Sequence, residues 1–375
     1  MLEQLFISLS HQQIKFNLIN KCDTFLNRKN FIKTVSLSSA TILFSSGFSF
    51  AINNLESHKK NIIPAKLKSG DRIALVAPGS YLLESELQSA VKNISDLGFE
   101  VTFSEKLLLQ NGYFSGTDQE RADDLMNMFE RNDVNGIFCV RGGYGCARIL
   151  PLLDYKVIKN NPKVLIGYSD VTALLFGIYK KTGLVTFHGP VATSTFNDFS
   201  ISNFNNVLMN NSFPKKFFNA VEDLDENPYG VTTLVKGKAK GQMIGGNLSI
   251  MVSLIGTEYD LSYDDKIIFI EEVGEEPYRI DRMLTQLIQA KKFEKAAGIM
   301  MGIFRKCEPK TEDPSFSKSF TLMEVLKDRL GNLKIPVIYG MSFGHIKNKF
   351  TIPFGTIATL DTEEQIFILE ESPVI

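Results

Sequence analysis

The chain has 375 residues, 44% of them hydrophobic, enough for two domains with sizeable cores. Its 41 basic and 42 acidic side chains balance, leaving no electrostatic footprint for nucleic acid or an anionic membrane surface, so no nucleic-acid partner is expected. The four cysteines (Cys22, Cys139, Cys146 and Cys307) form no CxxC pair and the four histidines (His11, His58, His188 and His345) form no HExxH, so neither a metal site nor a cofactor is expected.

Residues 1–60 differ from the rest. Asn27-Arg28-Lys29-Asn30-Phe31-Ile32-Lys33 is followed by a weakly apolar, Ser- and Thr-rich run that closes on Ser49-Phe50-Ala51. Basic region, apolar region and small-x-small site are the three parts of a secretory signal. Arg28-Lys29 before Phe31-Ile32-Lys33 also looks like a variant twin-arginine signal. Residues 1–60 are therefore expected to be a signal or tail region, and the protein to be exported to the periplasm. No stretch reaches the ~20 clean apolar residues of a stable membrane span.

Residues 61–191 alternate between strand-like and helix-like runs. Residues 72–77 are a short apolar run ending in the turn Pro78-Gly79-Ser80, and residues 82–97 have helical spacing that stops at Gly98. Strands are expected at 99–103, 135–140 and 163–168, and helices at 118–129 and 171–181. Short continuous apolar runs are how buried parallel strands read. The expected fold class is α/β, with an N-terminal parallel-sheet nucleophile domain carrying helices on both faces. Residues 192–230, rich in Asn, Ser and Phe, show no sustained period and are expected to be a linker. Residues 231–375 are expected to form a C-terminal β/α domain, with strands at 266–271, 298–304 and 336–339. A stripe of Ile280, Met283, Leu284, Leu287 and Ile288 predicts a helix between the first two.

Four segments point to chemistry. An apolar strand runs straight into Tyr168-Ser169-Asp170, and a helix begins at once. A serine there projects from the carboxyl edge of the sheet, where open α/β folds bind ligands. The helix N-terminus offers N–H groups to an oxyanion, although Ser and Asp are equally favoured as plain helix caps. Arg141-Gly142-Gly143-Tyr144-Gly145 follows another strand, and adjacent glycines let the backbone approach a ligand closely. Glu271 ends an apolar strand, where a carboxylate needs a partner; the acidic residues after it read as solvated. Adjacent Glu271 and Glu272 fall on opposite faces of a strand. His345 lies in Gly340-Met341-Ser342-Phe343-Gly344-His345 just beyond a strand, whereas His188, beside Gly189-Pro190, reads as structural. A serine nucleophile needs a base, and the base an orienting carboxylate.

With these segments in view, the chain resembles the LD-carboxypeptidase family, the murein tetrapeptide carboxypeptidases, over about residues 68–360. The resemblance rests on Gly70-Asp71-Arg72-Ile73 with Ala77-Pro78-Gly79-Ser80, Gly116-Thr117-Asp118 with Arg121, Arg141-Gly142-Gly143-Tyr144-Gly145, Gly167-Tyr168-Ser169-Asp170, Gly245-Gly246-Asn247-Leu248, Glu271 with Tyr278-Arg279-Ile280-Asp281-Arg282, and Phe343-Gly344-His345. It implies a catalytic triad of Ser169, Glu271 and His345, and an oxyanion hole from the backbone of Asp170, Gly142 and Gly143. The implied substrate is a muropeptide that loses its terminal D-Ala. Arg141 and Arg279, next to site motifs, are candidates for reading its carboxylate. The same resemblance covers peptidases of the microcin C immunity type, which cleave peptidyl or aminoacyl adenylate analogues. A non-catalytic cell-wall binder on this scaffold is the alternative of another class. The sequence leaves a homodimer open.

Overall fold

A computed structural model describes residues 61–220, 227–312 and 314–375; the expected signal region, residues 1–60, lies outside the described residues. The chain then runs β1 (Arg72–Val76), α1 (Glu84–Asp96), β2 (Glu100–Thr102), α2 (Asp118–Glu130) and β3 (Gly136–Cys139). Short helices α3 (Cys146–Ile149) and α4 (Tyr155–Asn160) precede β4 (Val164–Gly167), α5 (Thr172–Thr182) and β5 (Thr186–His188). These strands pair in parallel in the order β5-β4-β3-β1-β2. Every residue of β3 and β4 is buried, as a sheet covered on both faces requires.

The segment 192–230 departs from expectation. Its described part holds α6 (Asp198–Leu208) and β6 (Lys215–Phe218). The buried face of α6 is Ser200, Asn203, Phe204, Val207 and Leu208, helically spaced but with polar residues in two slots, which hides the period. Ser200 is buried because its hydroxyl donates to the Lys347 carbonyl and accepts from the Lys349 N–H. Phe204 packs against Phe99 and Phe138 beside the first sheet.

The rest of the chain forms a second sheet. Its elements are β7 (Thr232–Val235), β8 (Lys238–Asn247), α7 (Leu248–Ser253), β9 (Lys266–Glu271), α8 (Pro277–Gln289), β10 (Gly298–Ile303), α9 (Leu322–Leu330) and β11 (Val337–Gly344). Three short strands follow: β12 (Ile352–Phe354), β13 (Ile357–Asp361) and β14 (Ile366–Leu369). The order is β6-β14-β13-β8-β9-β10-β11-β7, with β8 to β11 parallel and the flanks antiparallel. Helix α8 buries Ile280, Met283, Leu284 and Leu287 of the predicted stripe, with Ile288 only half-buried, and the four buried side chains each contribute roughly 1.5–3 kcal/mol. Strand β12 joins the other sheet, pairing antiparallel with β5. The two halves are therefore interlocked, with a late strand completing the first sheet.

Candidate active site

The serine turn sits where β4 ends. Ser169 has φ +63°, a left-handed conformation that costs a non-glycine residue roughly 1–2 kcal/mol. A Cβ on Gly167 would lie 2.9 Å from Val171 Cγ1 and 3.1 Å from Cys139 Cβ, so the chain doubles back this tightly only with no side chain there. Strand, strained serine and immediate helix make the geometry of a nucleophile elbow. Capping does not explain these residues: neither the turn at Ser169–Val171 nor α5 has a side-chain cap. Asp170 is buried, and its Oδ2 accepts from the Cys146 N–H at 2.8 Å. Burial pushes its carboxyl above the ordinary range against that contact.

The Gly142-Gly143 turn lies against the serine. A Cβ on Gly142 would come within 2.7 Å of Ser169 Cβ, 2.9 Å of its Oγ and 3.4 Å of the Asp170 nitrogen. Gly143, at φ +108°, backs onto Ser80, whose Oγ accepts from the Tyr144 N–H at 3.1 Å. Arg121, 2% exposed, donates to the Pro78 carbonyl, to the Gly145 carbonyl at 3.0 Å and to Asp118. One buried guanidinium thus clamps two turns beside the serine, which is the structural content of the Gly116-Thr117-Asp118 and Arg121 motif.

Glu271, the last residue of β9, is fully buried, and its Oε2 accepts from His345 Nδ1 at 2.7 Å. His345 follows β11 directly. Gly344 makes room for the pair, since a Cβ there would be 3.1 Å from Glu271 Cβ. Burial pushes the Glu271 carboxyl up, but the imidazoles of His345 and His188 outweigh it and hold it at about 2. With Nδ1–H directed at a carboxylate, Nε2 is the basic nitrogen of His345. The Tyr168 ring, adjacent in sequence to Ser169, packs edge-on against the His345 ring at 4.8 Å. The serine helix is tied to the second sheet where Thr172 Oγ1 accepts from the Asn247 N–H at 3.0 Å.

Glu272 points elsewhere. It accepts from Asn247 Nδ2, the Ser249 N–H and hydroxyl, and the Val273 N–H, all at 2.6–3.0 Å. Burial nevertheless pushes its carboxyl up, against those contacts. The acidic run is thus not solvated as its composition suggested: Glu272 and Glu276 are 2% and 5% exposed. The two arginine candidates are engaged by the protein. Arg141 donates to the Tyr81 carbonyl at 3.2 Å and to Glu86 at 3.1 Å. Arg279 meets the Tyr278 hydroxyl at 3.0 Å and Glu275 at 3.5 Å. A cavity of about 450 Å³ lined by Arg305, Lys306, Tyr229 and Lys347 opens elsewhere. Arg305 Nη1 donates to the His345 carbonyl at 3.3 Å, so this basic cavity adjoins the histidine. Sequence reasoning missed Arg305, although it follows β10 much as Glu271 closes β9.

Residues 73–189 match the LD-carboxypeptidase N-terminal domain, and residues 240–360 match the LD-carboxypeptidase C-terminal domain. The chain belongs to the LD-carboxypeptidase family. The family is one of serine peptidases. A probable murein peptide carboxypeptidase of Bacillus subtilis is 36% identical over 83% of this chain and 95% of its own length. The microcin C7 self-immunity protein MccF of Escherichia coli is 29% identical over 84% and 97%. The crystal structure of a muramoyltetrapeptide carboxypeptidase from Oxalobacter formigenes superposes with a TM-score of 0.67 at 28% identity, covering 80% of this chain and 98% of that one.

Proposed function

We propose that this family member is a serine LD-carboxypeptidase that releases the terminal D-Ala of a murein tetrapeptide. The observation that supports the mechanism is the buried Glu271–His345 pair, with the ring of Tyr168, the residue before the strained serine, packed on His345. In this reading His345 Nε2 takes the Ser169 proton as Oγ attacks the amide carbonyl at the L-centre. Glu271 holds the imidazole in the required tautomer and stabilises its cation. The N–H groups of Asp170 and the Gly142-Gly143 turn meet the oxyanion. His345 then protonates the departing D-Ala amine, and water releases the acyl group from Ser169. The substrate class is supported by the relatives named for murein peptides. Arg141 and Arg279 remain candidates for its terminal carboxylate; Arg305 joins them from the basic cavity. Export through residues 1–60 belongs to this proposal, and N-terminal sequencing of the mature protein from its host tests it.

The functional test is incubation with purified murein tetrapeptide, read by mass. The proposal expects loss of one alanine, and no loss with Ser169→Ala. Amidating the substrate's C-terminus removes a charge-assisted contact and should lower kcat/KM by about one to two decades. Equal cleavage of acid and amide would contradict a carboxypeptidase. Cleavage of an aminoacyl sulfamoyl adenosine with no action on the tetrapeptide would replace the murein reading by the immunity-type one.

A further inference from the structure

His188 closes β5, one strand over from the serine strand. Its backbone is in register with Gly167 on β4 and with Ile352 on β12. The residue is 1% exposed. Its ring meets Tyr168, Phe269 and Phe343 edge-on, at 6.0, 5.4 and 5.9 Å between centroids. An apolar ring would fill that aromatic site with no nitrogen to satisfy, so packing does not account for a histidine. Among the described residues neither ring nitrogen has a hydrogen-bond partner, and Glu271 Oε1 also has none. These orphans face each other, with His188 Nε2 lying 3.9 Å from Glu271 Oε1. Buried polar groups left unpaired are costly and rare, and here a donor and an acceptor of matching chemistry sit a small rotation apart.

We propose that His188 is a positioning residue for the triad. Its Nε2–H serves Glu271 Oε1 while His345 Nδ1–H occupies Oε2, so the carboxylate is held between two imidazoles. With both oxygens engaged, the Glu271 side chain has one orientation, and its Oε2 is aimed at His345. The remaining gap exceeds a hydrogen bond by about 1 Å and closes by a side-chain adjustment of that size. The titratable groups packed around His188 are Glu271 from β9, Tyr168 from the end of β4 and, across the carboxylate, His345 from the end of β11. The Tyr168 phenol is pushed up to about 12, by burial first and by Glu271 second, so it stays neutral. The inference rests on Glu271 orienting His345 as proposed above.

The test has a spectroscopic arm and a kinetic arm. In imidazole-¹⁵N spectra of the full wild-type chain, His188 is expected to carry a proton on Nε2, with a resonance that moves in Glu271→Gln. The Nδ1–H tautomer, or no response to Glu271→Gln, overturns the proposal. This arm needs no turnover, so it stands even if Ser169→Ala proves active and the proposed mechanism fails. In kinetics, His188→Phe keeps the ring and removes the donor. Its kcat should fall about tenfold or more with KM nearly unchanged, and the acid limb of kcat/KM should move to higher pH as Glu271 loses a donor and becomes more basic. His188→Gln, which retains a donor, should recover most of kcat. Wild-type kcat in His188→Phe contradicts the assignment, as do equal losses in both variants with the acid limb unmoved. Should His188→Phe fail to fold, the wild-type tautomer and the His188→Gln profile decide the matter.

Discussion

At the end of β4 the serine is placed by backbone. Ser169 holds φ +63°, Gly167 and Gly142 let main chain pass where any Cβ would collide, and the Arg121 guanidinium fastens the neighbouring turns through their carbonyls. At the ends of β9 and β11 the carboxylate and imidazole are placed by side chains. Glu271 is fully buried and fixed by one 2.7 Å contact, with its ionisation secured by the imidazoles around it. The contrast teaches that the two sides should fail differently: the serine side to changes of shape, the acid–base side to changes of charge at constant shape.

The largest expected effect is at the proposed nucleophile. Ser169→Ala should lower kcat by about 10⁴–10⁶-fold with the fold intact. Ser169→Gly should be equally inactive yet melt higher, because glycine relieves the left-handed strain and returns about 1 kcal/mol. An unchanged or lowered melting temperature would count against strain at this residue.

Next comes the carboxylate pair. Glu271→Gln keeps the shape and should cost about 10⁴-fold in kcat through the wrong imidazole tautomer. Glu272→Gln should leave kcat within about tenfold and instead lower stability by roughly 1–3 kcal/mol, since the amide keeps one acceptor oxygen and two of the four donors lose theirs. Acid titration separates them further. Glu271 is depressed on folding, so its stabilisation is present above the unfolded carboxyl value of about 4.3 and is lost as pH falls towards about 2. Glu272 is raised, so its contribution is fully present below about 4.3 and lost as pH climbs through its folded value. In urea titrations, the wild-type advantage over Glu271→Gln should shrink as pH falls from about 4.3 towards about 2, while the advantage over Glu272→Gln should grow as pH falls through its raised folded value towards about 4.3 and then level off. Parallel behaviour would erase the distinction between the two carboxylates.

Smaller again is Gly142→Ala. Its new methyl would stand 2.9 Å from Ser169 Oγ, and the displaced turn should cost about 10²–10³-fold in kcat, the scale of a lost oxyanion donor. Activity within about threefold of wild type would show that the turn yields freely and is not part of the oxyanion site.

The strands that bring the site together were legible because each is short, apolar and buried: β1, β3, β4, β9 and β10 all fall inside their expected runs. The Glu271–His345 contact was legible from chemistry, since a carboxylate closing an apolar strand needs a partner and a histidine stood beyond a later strand. Other features were hidden for physical reasons. Helix α6 buries Ser200 and Asn203, and Ser200 is satisfied by main chain some 147 residues away. Strand β12 has three residues and borrows its partner from the other half. Arg141 reads as an available cation until Glu86, 55 residues earlier, is seen beside it. From sequence His188 reads as structural, and its place 3.9 Å from Glu271 Oε1 is visible only in the fold, because a single histidine beside Gly-Pro says nothing about a carboxylate on another sheet.

The proposed mechanism makes Ser169 a nucleophile activated by His345, a residue from the other half of the chain. Labelling with a fluorophosphonate, followed by peptide mapping, tests it most directly. The expected result is a single adduct on Ser169 in the wild type, absent from Ser169→Ala and strongly slowed in His345→Ala. An adduct on another residue, or labelling that survives undiminished in Ser169→Ala, would contradict it.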